Sequence, residues 1–118
     1  GVDQDWEKAF DLYKKAAKQG EVDSLCCLGH MHEKGYGVTQ NYEKAINWYR
    51  KAIDQGDADS MFFLGMLYLE GKGVDKSLPD AAYWINKARL DEGITLDAEK
   101  IWTEKGLSKY LKDEEDSE

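Results

Sequence analysis

Proline is almost absent from this chain: Pro79 is the only one in 118 residues. Helix interiors are therefore spared the residue that most disrupts them. Cysteine is nearly as scarce, with Cys26 and Cys27 adjacent and no third. Neighbours on a helix point about 100° apart, so these two do not readily bond to each other. A framework with one disulfide per structural unit is excluded, and a reducing compartment such as the cytoplasm is favoured. Long apolar runs are missing too. The longest, Met61 to Leu69, falls well short of the roughly 20 residues that cross a bilayer, so no membrane insertion is expected. Basic charge is in deficit, with 16 Lys and Arg against 24 Asp and Glu and a net charge of −8. Nucleic-acid backbones and anionic membrane surfaces are attracted chiefly by basic residues, so neither is the expected ligand.

What the chain has is repetition. Leu28-Gly29 recurs as Leu64-Gly65, Gly35-x-Gly37-Val38 as Gly71-x-Gly73-Val74, Trp48 as Trp84 and Lys51-Ala52 as Lys87-Ala88, all at a spacing of 36 residues. Residues 21–56 and 57–92 share 11 of 36 positions, and residues 1–20 share 11 of 20 with 37–56. A fixed period in this range marks a repeat array, in which each unit buries its apolar side against its neighbours. The divisions are a half repeat at 1–20, whole repeats at 21–56 and 57–93, a capping segment at 94–112 and an acidic end at 113–118. Gly1 stands where the second glycine of a Gly-x-Gly-Val loop belongs, so the sequence is expected to be a piece of a longer array.

Each unit reads as two antiparallel helices. In the second, Asp57 or Asp59 caps a helix whose Ser60, Met61, Leu64, Leu67 and Tyr68 share one face. Gly71 and Gly73 stop it, glycine being the residue that adopts the left-handed conformation of a helix end without steric cost. Ser77 and Asp80, with Pro79 in the first turn, open a second helix with Ala81, Trp84, Ile85 and Ala88 inward. The first unit places helices near 22–34 and 41–54, capped by Asn41 and stopped by Gly56. Gly29 and Gly65 lie mid-helix, where glycine costs roughly 1 kcal/mol against alanine; close approach of a neighbouring helix is the expected compensation. Ala45, Ala52, Ala81 and Ala88 suit the same contact, with Trp48 and Trp84 filling wider gaps. In the tail, Leu96, Ala98, Ile101 and Trp102 form a stripe interrupted at Gly106, followed by Leu107, Tyr110 and Leu111. Asp113 to Glu118 carries like charge throughout and is expected to be disordered.

The pattern Leu64-Gly65-x-x-Tyr68-x-x-Gly71-x-Gly73-Val74, followed by Ala81-x-x-Trp84-x-x-Lys87-Ala88, resembles the Sel-1-like repeat, a relative of the tetratricopeptide repeat. Leu28-Gly29, Tyr42-Glu43-Lys44-Ala45 and Trp48-Tyr49-x-Lys51-Ala52 carry the resemblance in the first unit, and Trp6-Glu7-Lys8-Ala9 and Tyr13-Lys14-Lys15-Ala16-Ala17 in the half unit. His32 departs from it where Tyr68 conforms, and Ser24 and Ser60 stand where alanine is usual. The resemblance implies an all-α solenoid of antiparallel helix pairs with a C-terminal capping helix. It also implies an adaptor that holds a protein or peptide partner, with a toxin-neutralising immunity protein or a regulatory domain of a larger enzyme as alternatives.

The partner surface follows from the helical wheel. With Leu64 at 0°, Phe62, Met66 and Leu69 fall between about 140° and 200°, opposite the core. Their counterparts one period earlier are Cys26, His30 and Glu33. These six are the candidate partner-binding residues, on the concave side that the first helix of each pair lines. Two readings compete for Phe62, Met66 and Leu69: the tail folds over them, or they form an open groove for a partner or for self-association. Cys26, His30 and Glu33 have a spacing able to hold a metal, but the second repeat replaces all three with apolar groups. No metal or cofactor is expected. A Cys–His hydrolase would need a pocket and an orienting third group that the sequence does not supply, so no catalysis is expected. The glycines lack the lysine of a nucleotide loop and recur as punctuation.

Overall fold

A computed structural model describes residues 2–92, 94 and 97–111. The chain order is α1 (Val2–Lys18), α2 (Val22–Lys34), α3 (Tyr42–Asp54), α4 (Ala58–Glu70), α5 (Leu78–Arg89), α6 (Ala98–Glu104) and a 3-10 turn at Leu107–Leu111. No strand occurs among the described residues. The α2–α3 and α4–α5 hairpins stack on α1 in a row measuring 53 × 25 × 21 Å. The radius of gyration is 15.2 Å, against about 13.5 Å for a compact chain of this length. This is the elongation of an array, an all-α solenoid of helix pairs. Leu96 and the acidic stretch 113–118 lie outside the described residues.

The helix boundaries are set by side chains that pair the free N–H groups of the first turn. Asn41 accepts from the Lys44 N–H at 2.9 Å, Asp57 from that of Ser60 at 2.9 Å, and Ser77 from that of Asp80 at 3.2 Å. Glu21, at the corresponding place on α2, makes no such bond. Gly35 and Gly71 close α2 and α4 in the left-handed conformation, at φ +75° and +68°.

The two mid-helix glycines are explained by contact. A Cβ on Gly29 would lie 2.5 Å from the Tyr49 ring, and one on Gly65 would lie 2.6 Å from Ile85. Ala45, Ala52, Ala81 and Ala88 are wholly buried along the same seams. The aromatic that fills the α2–α3 seam is Tyr49, fully buried, rather than Trp48, which stays half-buried beneath Lys51. Tyr49 lies one helical step from Trp48, on the side that faces Gly29.

The C-terminal end is closed by Ala98, Trp102 and Leu107, which join Ala81, Ala82, Ile85 and Ala88 of α5 in one buried cluster. Gly106, at φ +57°, separates α6 from the 3-10 turn. Arg89 lies over the Trp102 ring at 4.4 Å and pairs with Glu99 at 3.1 Å, tying α5 to the cap.

Candidate functional site

The six candidate residues fall in three settings. Cys26 and His30, on successive turns of α2, border an apolar hollow of about 420 Å³ with Trp6 and Tyr13 of α1, Tyr36, and Phe63 of α4. Trp6 stacks on Tyr36 at 4.6 Å and 17°, and the His30 ring leans over Phe63 at 5.2 Å. The Nδ1 of His30 is buried with no hydrogen-bond partner among the described residues. Burial pushes the Cys26 thiol up to about 12, a hydrogen bond with Ser60 offsetting only part of the shift. Burial also raises Cys27, which shares a hydrogen bond with Tyr13. Both thiols stay protonated near neutrality, so neither offers the thiolate that nucleophilic chemistry needs.

Glu33 is turned elsewhere. Its Oε1 accepts from the Tyr49 hydroxyl at 2.7 Å, within its own hairpin. The Tyr49 phenol is raised by burial and then by the neighbouring Glu33 charge, so the hydroxyl remains a donor. Among the described residues, no three His, Cys, Asp or Glu side chains converge to hold a metal ion.

Phe62, Met66 and Leu69 sit half-buried against the cluster shared by α5 and the cap. Met66 and Leu69 border a second hollow, of about 530 Å³, with Leu78, Ile101, Glu104 and Lys105. The line of six is therefore divided. Cys26 and His30 open onto the first hollow, Met66 and Leu69 meet the cap, and Glu33 braces Tyr49.

Sequence reasoning did not find Trp6, Tyr13, Tyr36 or Phe63. A signal was available, because Tyr13 stands 36 residues before Tyr49. The Tyr49 ring is buried where α2 packs on α3, whereas Tyr13 is half-exposed. The same comparison pairs Phe63 with Cys27, which borders the hollow beside it.

The Sel1 repeat family model matches residues 1–21, 23–57 and 58–90. The chain belongs to the Sel1 repeat family. Sel1 repeats are generally non-catalytic modules that mediate protein interactions. Solved structures share the fold, among them two repeat proteins. A Sel1 repeat protein from Oxalobacter formigenes is 38% identical with a TM-score of 0.64, over 71% of this chain and 35% of that one. c5321, a protective antigen present in uropathogenic Escherichia coli strains and displaying an SLR fold, is 31% identical with a TM-score of 0.66, over 69% of this chain and 17% of that one. The Sel1 chain thus spans 35% and 17% of the lengths of these relatives. No curated protein matches it. No described helix is long and apolar enough to cross a membrane.

Proposed function

We propose that this Sel1 array is an adaptor that holds a protein partner along the side lined by α2 and α4, and that Cys26 and His30 receive an amphipathic helix there. From this anchor the partner runs on towards Phe62, Met66 and Leu69. The observation that carries the reading is the apolar hollow that Cys26 and His30 of α2 border with Phe63 of α4. The occupant needs an apolar face to meet Phe63, Cys26 and Met31, since an apolar surface is stabilised by burial against like surface.

The test adds a stapled amphipathic helical peptide with one leucine-rich face to the whole chain. Saturable binding is expected, weakened about tenfold by His30→Asp in the protein, because a charge would be left in an apolar wall. A peptide of the same composition with its leucines spread around the helix is expected not to bind. Equal binding of the two peptides, or no binding of either, would exclude this helix-accepting role.

A further inference from the structure

We infer that the groove between α1 and α3 is a second binding site, one that takes the acidic side chains of a peptide segment from a protein partner. It shares no residue with the hollow at Cys26 and His30, and it stands or falls separately from the reading above. The groove encloses about 730 Å³ and is bordered by Lys14 of α1, His32 at the end of α2, and Lys44, Asn47, Trp48 and Lys51 of α3.

Charge is the first argument. On a chain of net charge −8, three ammonium groups and no carboxylate border this groove. No ion pair joins Lys14, Lys44 or Lys51 to a carboxylate among the described residues. Two of the three are held on aromatic rings, Lys51 at 4.7 Å from the Trp48 centroid and Lys14 at 5.5 Å from that of Phe10. Such contacts pre-position a cation without neutralising it.

The second argument comes from the same place one period later. There Arg50 stands for Lys14, Tyr68 for His32, Asp80 for Lys44 and Lys87 for Lys51. Arg50 donates to the Tyr68 hydroxyl at 3.2 Å, and Lys87 to the Tyr83 hydroxyl at 3.3 Å. Asp80 adds a negative charge where the first groove has a third positive one. The second position is thus satisfied from within the chain. In the first, His32 is 93% buried, being only 7% exposed, and its Nδ1 has no hydrogen-bond partner among the described residues.

The form of the site selects the ligand. Compact phosphates are held best by backbone N–H groups converging at a helix start or nest. Here the Lys44 N–H is already taken by Asn41. What remains is three ammonium groups on long stems spread around an open groove, which suits carboxylates spaced along a chain.

The experiment measures fluorescence anisotropy of a labelled hexaglutamate peptide titrated with the whole protein, with hexaglutamine as control. Saturable binding of hexaglutamate alone is expected, weakening as salt rises. Lys44→Asp, which copies Asp80, is expected to weaken it about tenfold by placing like charge against the ligand. Lys14→Arg, which copies Arg50, is expected to bind as the parent does. Circular dichroism checks that both variants keep their helices. Equal binding of the two peptides, an unaffected Lys44→Asp variant of native helicity, or tighter binding of inorganic phosphate would overturn the assignment. So would self-association of the whole chain that Lys44→Asp abolishes, which would give the groove to residues 113–118 of a second copy.

Discussion

The two complete repeats share a backbone plan but not a polar plan. In the second, Asp57 caps α4 and also accepts from the Ser60 hydroxyl at 2.6 Å, and Arg50 reaches Tyr68. In the first, Glu21 leaves α2 uncapped, the Ser24 hydroxyl is buried without a partner among the described residues, and the His32 Nδ1 is in the same state. The glycines and alanines that set the helix spacing are the same in both. The difference teaches that backbone spacing is what the fold demands of every repeat, whereas polar pairing is free to vary. Among the described residues, the unpaired buried polar atoms of the first repeat all lie on α2, at Ser24, His30 and His32, whereas in the second they lie on α5, at Asn86 and Arg89.

The spacing residues give the largest test of that division. Gly29→Ala would place a Cβ 2.5 Å from a Tyr49 ring that is fully buried, bonded to Glu33 at 2.7 Å and stacked on Phe63 at 5.4 Å. Held on both sides, the ring cannot yield. The expected loss is about 3 kcal/mol from overpacking and the weakened hydrogen bond, even after the helix-propensity gain. Gly65→Ala meets first the Cγ1 of Ile85, a methylene of a wholly buried side chain that has no hydrogen bond to lose, and is expected to cost about half as much. Denaturant unfolding measures both. Equal losses would mean that the two seams are equally rigid.

The polar plan predicts a reversal of sign between identical residues. Ser60→Ala removes a hydroxyl bonded to Asp57 and is expected to cost about 1 kcal/mol. Ser24→Ala removes a hydroxyl that is buried and unpaired, and is expected to raise stability by up to about 1 kcal/mol. Both side chains are almost wholly buried, so solvent does not blur the comparison. If the two substitutions change the unfolding midpoint in the same direction, the distinction between the repeats is lost.

The array, its caps and its tight seams were legible because each depends on residues that announce themselves singly. Asn41, Asp57 and Ser77 cap where a short polar side chain precedes an apolar stripe, and the mid-helix glycines of both repeats signalled close approach. The interruption of the tail at Gly106 was legible for the same reason. What could not be read was which of two neighbouring aromatics turns inward. Trp48 and Tyr49 differ by one helical step, and only the position of α2 selects Tyr49. The candidate line was placed by a wheel that treats each helix alone. That wheel cannot register that Glu33 reaches Tyr49 across the hairpin, or that Met66 and Leu69 share a hollow with Ile101 of α6. The basic groove was hidden similarly, since Lys14 and Lys44 read along the chain as ordinary solvated faces.

The smallest expected effect concerns His32, the residue that separates the open groove from its filled counterpart. Burial, and then the charges of Lys44 and Lys14, hold its pKa below the ordinary histidine value. Below about pH 6.5, where a free histidine takes up its proton, the unfolded chain therefore binds more protons at this site than the folded one. The contribution of His32 to stability is complete above that pH and is lost as the pH falls towards the folded value. His32→Tyr, which installs the residue found at Tyr68, removes the titration and gives Lys14 a hydroxyl to meet, as Arg50 meets Tyr68. Unfolding free energies at pH 7.5 and 5.5 should then differ less in the variant than in the parent, because the carboxylates common to both cancel in the subtraction. A variant with an unchanged slope would mean that the imidazole titrates as it does in water, and that its burial leaves it no harder to charge.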